Sequence, residues 1–259
     1  MNKQPIGIFD SGVGGTSIWK AINTLLPNED TVYLADSANA PYGPKGEDAI
    51  TQLCIKNTEY LLSKDCKLIV VACNTATTNA IKYLRSHYNV PFIGIEPAIK
   101  PAALQTKTNA IGILATKGTL SSALFSKTAG EFASHIKVIE QKGEGIVPLI
   151  EDGALNSDDM KALLKVFLKP MIEANIDHLV LGCTHYPYLI PMLSKILPKS
   201  VKIIDSGEAV ARQTKVVLEQ NDLLNVENLN PTFQFYTNGK LEVLKLFLDE
   251  NSLIEFLDF

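Results

Sequence analysis

The chain has 259 residues, of which 46% are hydrophobic and 20% charged, a composition typical of a globular protein. Its net charge of −4 and the lack of a dense basic run argue against nucleic acid as a partner. The opening MNKQPIGIFDSG lacks the apolar core of a signal peptide, and no run reaches the roughly 18 apolar residues of a membrane span. We therefore expect a cytoplasmic protein without membrane contact.

Short runs rich in β-branched residues alternate with longer amphipathic segments along the chain. The predicted strands are PIGIFD (5–10), TVYLAD (31–36), KLIVVA (67–72), VPFIGI (90–95), NAIGILA (109–115), HIKVIE (135–140), DHLVLG (177–182), VKIID (201–205) and PTFQFYT (231–237). Nearly continuous apolar runs are typical of strands buried on both faces. We predict an α/β protein with mainly parallel sheets flanked by helices.

Two similar domains are predicted from the prolines that end the first half and from a tripeptide that occurs in both halves. Pro97 and Pro101 end the first half, and NAIGILATKGT begins a new strand–loop–helix unit. The tripeptide DSG follows a strand twice, at 10–12 and at 205–207. We expect one domain from 1–97 plus about 208–259, to which the PTFQFYT strand returns, and another from 98–207. The cleft between them, at the carboxyl ends of the strands, is the expected active site.

The four cysteines fall into two pairs by setting. Cys54 lies in a helical segment and Cys66 lies just before a strand. We interpret both as core or surface residues without a chemical role. In a reducing compartment disulfides rarely persist, and the cysteine spacings fit no zinc site.

Cys73 directly follows the strand KLIVVA and precedes a helix whose start is marked by Asn74 and Thr75, both good capping residues. A thiol near a helix N-terminus is favoured as the thiolate, and the free N–H groups there bind a carboxylate. Taken alone, the pattern also fits a small buried residue at the end of a strand.

Cys183 repeats this setting, since it follows DHLVLG and precedes Thr184, His185 and a helix with Pro187 near its start. Inversion at a carbon needs a base on one face and an acid on the other. Two thiols at equivalent positions of two similar halves suit that reaction. His185 beside Cys183 and Asp10 beside Cys73 are candidate helpers, although a helix-start histidine and turn chemistry in DSGVGG explain them equally well.

The string GVGGTS (12–17) also allows a dinucleotide-binding interpretation, with Asp36 as the ribose-binding acid. The match is partial, because Ser17 occupies the third glycine position, and the loop could equally let backbone approach a carboxylate. The segment DSANAPYGPKG (36–46) is long enough to cover a site, with Pro41, Tyr42 and Gly43 at its centre.

Four blocks together, GIFDSGVGG (7–15), DSANAPYG (36–43), ACNTAT (72–77) and GCTHYP (182–187), resemble the glutamate racemases of the cofactor-independent aspartate/glutamate racemase family. Those enzymes make D-glutamate for bacterial cell walls. The resemblance implies two similar α/β domains around the substrate and catalysis by two cysteines, with neither pyridoxal phosphate nor metal. It also implies glutamate as the small-molecule substrate and a homodimer.

Carried over by motif, the resemblance assigns Cys73 and Cys183 as the acid/base pair, assisted by Asp10 and His185. The residues that it implies around the substrate are Asp10, Ser11, Pro41, Tyr42, Gly43, Asn74, Thr75, Thr184 and His185, with Thr116, Thr119 and Glu151 as further candidates.

One position departs from the family pattern, which often has arginine where this chain has Asn39. We expect that difference to affect the exterior of the loop or a subunit contact. Aspartate racemases share the two-cysteine plan but lack THYP, so glutamate is favoured. The alternatives are racemisation of another acidic amino acid such as aspartate, and a nucleotide-binding regulatory protein that uses the loop from Gly12 to Ser17.

Overall fold

The computed structural model describes residues 4–249 and 252–259, and the strands of that part of the chain run parallel in two sheets. The strands are β1 (Ile6–Asp10), β2 (Thr31–Ala35), β3 (Leu68–Val71), β4 (Phe92–Gly94), β5 (Ala110–Ala115), β6 (Lys137–Lys142), β7 (His178–Gly182), β8 (Lys202–Ile204), β9 (Phe233–Thr237) and β10 (Leu253–Phe256). The helices are α1 (Thr16–Leu25), α2 (Glu47–Ser63), α3 (Asn74–His87), α4 (Ile99–Gln105), α5 (Lys117–Leu120), α6 (Ala123–Ala133), α7 (Ile146–Glu151), α8 (Asp158–Glu173), α9 (Ile190–Ile196), α10 (Gly207–Gln220) and α11 (Leu241–Lys245). Short 3-10 helices cover Val13–Gly15, Ser37–Asn39 and Tyr186–Leu189.

The larger sheet has the order β10-β9-β2-β1-β3-β4 and the smaller one the order β6-β5-β7-β8. We call each sheet with its helices the first half and the second half of the molecule. The α/β class and the parallel sheets predicted from the sequence are confirmed. All nine predicted strands are present, and β10 at the edge of the first sheet is an additional strand that we did not predict.

Alternation along β1 explains how the first sheet is covered on both faces. Ile6 and Ile8 point to the core beneath α1 and α10, whereas Phe9 points to the core beneath α2 and α3. Both sets of side chains are fully buried, as expected of a parallel sheet between two helical layers.

The second sheet is covered in the same way. Ile111 and Ile113 of β5 pack with α4 and α6, and Leu114 contributes to the core beneath α8 and α9. That last core continues into the first half, where it includes Ile18 of α1, so apolar packing joins the two halves.

The chain crosses between the halves twice, once between β4 and α4 and once between β8 and α10. The two crossings are joined where the hydroxyl of Ser206 donates a hydrogen bond of 2.5 Å to the carbonyl oxygen of Glu96. The carboxyl ends of the strands in each sheet lie at one edge, because all of the strands are parallel. Within the described residues, no helix has both the length and the apolar character needed to cross a membrane.

Candidate active site

A small cavity lies at the carboxyl ends of the central strands, between the two halves. The first half contributes Ser11, Pro41, Tyr42, Gly43, Cys73, Asn74 and Thr75, and the second half contributes Thr116, Val147, Cys183, Thr184 and His185. The cavity encloses about 10 Å³, room for roughly one water molecule. We call the segment 36–46 the covering loop. A substrate of several heavy atoms therefore enters only when the halves or the covering loop move apart.

Cys73 is separated from the end of β3 by Ala72 and is itself the N-cap of α3. Its sulfur accepts a hydrogen bond from the Ala76 N–H at 3.4 Å and lies 3.5 Å from the hydroxyl oxygen of Ser11. The predicted capping role of Asn74 was wrong, because the cysteine sulfur already occupies that place. Asn74 is the first residue of the helix instead.

The backbone N–H at the helix N-terminus favours the Cys73 thiolate as expected, but burial outweighs it. Burial raises the pKa of the Cys73 thiol to about 12, and the nearby charge of Asp10 adds to that effect. The hydrogen bonds to Ser11 and Ala76 act in the opposite direction but do not overcome desolvation. In the closed site Cys73 is therefore a protonated thiol.

Cys183 directly follows β7, and it has a basic partner. Nδ1 of His185 lies 3.7 Å from the Cys183 sulfur, and Nε2 lies 2.5 Å from Oε1 of Glu151. Burial opposes a charge on this imidazole, yet the hydrogen bonds to Cys183 and Glu151 raise the pKa of His185 well above its usual 6.5. Each ring nitrogen therefore lies beside a group that stabilises the protonated imidazole.

Asp10 ends β1 and is completely buried. Its carboxylate accepts hydrogen bonds from the Gly12 N–H and from the Thr184 hydroxyl, both at 2.9 Å. Burial raises its pKa to about 6, although the charge of His185 and the bond from Thr184 hold it down. Asp10 therefore connects the first half to the residue after Cys183, a contact that its position in the sequence did not predict.

The glycine loop after β1 is packed against the second half. A Cβ atom at Gly12 would overlap the carboxylate of Glu151, and one at Gly14 would overlap the ring of His185. Oε1 of Glu151 also accepts a hydrogen bond of 2.7 Å from the Val13 N–H. In this arrangement Gly12 and Gly14 leave room for side chains of the second half, whereas the glycines of a nucleotide-binding loop leave room for a pyrophosphate.

Asp36, the acid of the nucleotide-binding alternative, organises the covering loop. Its carboxylate accepts hydrogen bonds from the Tyr42 hydroxyl, from Asn39 at 2.8 Å and from Asn238 at 2.6 Å. The ring of Tyr42 is buried and lines the cavity. Asn39 is half-buried, donates to Asp36 and does not line the cavity, while its expected effect on the loop exterior or a subunit contact stays a prediction.

Two threonines meet across the cleft beside the cavity. The hydroxyl groups of Thr75 and Thr116 lie 2.9 Å apart, and Thr119 supports Thr116 from behind at 3.0 Å. Thr119 is fully buried and is absent from the residues that line the cavity, so it reaches the site only through Thr116.

The side chain of Asn74 is the clearest sign of a ligand site. It is 2% exposed and lines the cavity, yet neither its amide nitrogen nor its oxygen has a hydrogen-bond partner among the described residues. Buried polar groups are nearly always paired, so an unpaired amide at a cavity indicates a partner from outside the chain.

Sequence reasoning missed Val147 of α7, an apolar lining residue with no motif to reveal it. The other two cysteines are buried away from the cavity lining, Cys54 in α2 and Cys66 before β3. All four thiols are free.

Two buried thiols, close to the ends of β3 and β7, thus line one polar cavity from different halves, and a pair of thiols can serve as an acid and a base toward a small molecule. The sequence profile of the Asp/Glu/hydantoin racemase family matches residues 6–214, and the chain belongs to that family.

Individual relatives agree along nearly the whole chain. The chain is 43% identical over 258 residues to a glutamate racemase of Ectopseudomonas mendocina, covering 98% of both proteins. The crystal structure of a glutamate racemase isoform from Bacillus anthracis has 30% identity and a TM-score of 0.87, with coverage of 100% of this chain and 98% of that one. The glutamate racemase of Francisella tularensis in complex with D-glutamate has 30% identity and a TM-score of 0.83, covering 99% and 98%.

Proposed function

We propose that this protein interconverts L-glutamate and D-glutamate and thereby supplies D-glutamate for peptidoglycan. The observation that carries the proposal is that Cys73 and Cys183 line one cavity from different halves. Glutamate as substrate is supported by relatives named glutamate racemases and by the D-glutamate complex of one of them.

The proposed reaction is a proton transfer at the α-carbon by two bases. The thiolate of one cysteine removes the α-proton, and the electron pair spreads into the adjacent carboxylate. The thiol of the other cysteine then gives its proton to the opposite face of that carbon. Afterwards the first cysteine is a thiol and the second a thiolate, which is the starting state for the reverse reaction.

The surroundings of the two thiols differ, and the difference fits one half of this cycle. Cys73, whose pKa burial raises to about 12, is suited to act as the acid, and Cys183, which lies next to the imidazole of His185, takes the part of the base. Glu151 and Asp10 act as positioning residues through His185 and Thr184.

We propose that the polar groups around the cavity hold the two carboxylates and the ammonium group of the substrate. The unpaired Asn74 amide and the N-terminus of α3 are suited to one carboxylate. The hydroxyl groups of Ser11, Thr75, Thr116 and Thr184 supply further hydrogen bonds, with Thr119 supporting Thr116. Pro41, Tyr42 and Gly43 close the site over the substrate.

We further propose a cytoplasmic homodimer that does not bind nucleic acid, with domains at 1–97 plus 208–259 and at 98–207. The domain limits are supported by the two chain crossings near Glu96 and Ser206. The dimer is inferred from the family resemblance, and light scattering on the purified protein tests it.

The test of the function is circular dichroism of L-glutamate and D-glutamate, each incubated with reduced, metal-chelated protein without added cofactor. Both signals should decay to zero with the wild-type protein and with Cys66→Ala, but persist with Cys73→Ala and with Cys183→Ala. Persistence of both signals with folded wild-type protein contradicts the proposal. The same assay with the aspartate enantiomers decides between glutamate and the aspartate alternative.

A further inference from the structure

A broad groove of about 980 Å³ is lined by residues of both halves and by the end of the covering loop at 43–46. Four lysines line it, Lys45 and Lys82 from the first half and Lys117 and Lys127 from the second. We call it the basic groove. Two carboxylates, those of Glu47 and Asp48, also line it, so the titratable side chains of its walls carry a net charge of +2.

The basic groove meets the active-site cavity at a thin partition. Gly43 lines both spaces, and it contacts Gly118 on the opposite half. A Cβ atom at Gly118 would lie 3.1 Å from the Gly43 carbonyl oxygen and 2.8 Å from Cγ2 of Thr75. The backbone of the two glycines and the side chains of Thr75 and Thr116 therefore separate the groove from the cavity at this point.

A second opening lies on the other side of the covering loop. It has a volume of about 320 Å³, shares Pro41 with the active-site cavity and is lined by Glu151, Asp152 and Lys240. We call it the acidic recess, because its titratable walls carry a net charge of −1. Its lysine is paired across the opening with Asp152 at 3.1 Å.

Charge distinguishes the two openings as routes for an anion. The protein as a whole carries a charge of −4, so an anionic ligand is repelled on average. Among the described residues, none of the four lysines of the basic groove forms an ion pair with a carboxylate. Clefts lined by one sign of charge raise the local concentration and the association rate of ligands of the opposite sign.

We propose that the basic groove is the route by which the anionic substrate enters and leaves, and that the Gly43–Gly118 contact is its inner gate. Opening separates the Thr75 and Thr116 hydroxyl groups and joins the groove to the cavity. The proposal rests on the proposed function only for the identity of the anion, since the route itself is a property of the charges and the partition.

The first test uses alkylation of the active-site thiols, which does not depend on racemisation. Iodoacetate and iodoacetamide have similar size but differ in charge, and mass spectrometry reports the labelling rates of Cys73 and Cys183 separately. In Lys82→Gln/Lys127→Gln the rate with iodoacetate relative to iodoacetamide should fall about threefold or more at low salt. The difference should shrink at 0.5 M salt, where the screening length is only about 4 Å.

The matched control is Lys161→Gln/Lys165→Gln, which removes two exposed charges from α8, on a surface that does not line the groove. Its labelling rate with iodoacetate relative to iodoacetamide should equal that of the wild type. An unchanged ratio in the groove variant, or an equal fall in the control, overturns the proposal.

The second test locates the route by comparing the two openings in the racemisation assay. Lys82→Gln/Lys127→Gln should lower kcat/KM for glutamate about threefold or more at low salt with kcat unchanged, whereas Lys240→Gln should leave kcat/KM unchanged. A larger loss in Lys240→Gln than in the groove variant assigns entry to the acidic recess and overturns the proposal. If the wild-type protein does not racemise glutamate, the proposed function fails, and the alkylation ratio still decides the route of anions.

Discussion

Nδ1 of His185 lies 3.7 Å from the sulfur of Cys183, so an imidazole is in contact with one of the two thiols that line the cavity. The other ring nitrogen lies 2.5 Å from Glu151, whose carboxylate also binds the Val13 N–H of the opposite half. The charge beside Cys183 is therefore connected to the closure of the two halves. Substitution of the residues in this network therefore tests what each of them contributes.

Glu151→Gln removes the carboxylate that stabilises protonated His185. Although burial opposes the charge, the hydrogen bonds to Cys183 and Glu151 raise the pKa of His185, and the variant should lower that pKa. We expect kcat/KM to fall roughly tenfold or more, and its alkaline limb to begin at a lower pH than in the wild type. The pH profile of kcat/KM in both directions measures this.

Asp152→Asn is the matched control for that variant, because it changes the neighbouring carboxylate, which is 67% exposed and paired only at the surface. Its pH profile should follow the wild type. An alkaline limb that stays in place in Glu151→Gln would show that Glu151 does not hold the charge of His185. The two enantiomers have equal free energies, so kcat/KM must change equally in both directions.

Asp10→Asn should stabilise the protein at neutral pH. The unfolded carboxyl titrates near 3.8 and the folded one near 6, so its ionisation favours unfolding. Stability contributed by this group is present below about pH 4 and is lost as the pH rises through 6. The variant can still accept from Gly12 and donate to Thr184, so it should gain about 1–3 kcal/mol at pH 7. Urea unfolding at pH 7 and pH 4.5 measures the gain, and an equal gain at both values contradicts the assignment.

Gly14→Ala should prevent correct closure of the site. The added methyl group would occupy the position of the His185 ring, which moves either the ring or the second half. A displacement of that size near reacting groups costs about a hundredfold in kcat/KM. Gly130→Ala in α6 is the control, since a methyl group there meets no atom within 4 Å. Full activity of a folded Gly14→Ala protein would mean that glycine is not needed at this position for the close packing of the His185 ring.

Lys67→Met should destabilise the first half without a direct effect on chemistry. Nζ of Lys67 lies 2.6 Å from the Glu29 carboxylate, and both side chains are 1% exposed. Removing one partner of a buried ion pair leaves an uncompensated charge, and we expect a loss of about 3 kcal/mol or more in urea unfolding. Lys169→Met breaks an exposed pair with Glu173 and should leave stability unchanged within error.

The strands and the two thiol positions could be predicted because they depend on local patterns. Buried parallel strands are continuous apolar runs, and a cysteine at the end of such a run is positioned by the strand itself. The strand β10 was missed because it has only four residues, Glu255 interrupts its apolar side chains, and all four residues are exposed or half-buried.

The contacts between the halves could not be predicted, because they join residues far apart in the sequence. Val13 and Glu151 are 138 positions apart, and Asp10 and Thr184 are 174 apart. The protonation of Cys73 was missed for a related reason, since the degree of burial depends on closure of the second half over it. Local features set the position of each thiol, and packing between the halves sets its chemistry.

The most direct test of the two-thiol account is racemisation of L-glutamate in deuterium oxide, stopped at low conversion. If one cysteine removes the proton and the other delivers one from solvent, the D-glutamate formed carries one deuteron at the α-carbon and the remaining L-glutamate carries none. Deuterium in the recovered L-glutamate at the same rate would mean that a single base serves both faces. That result would contradict the assignment of Cys73 and Cys183 to opposite faces of the substrate.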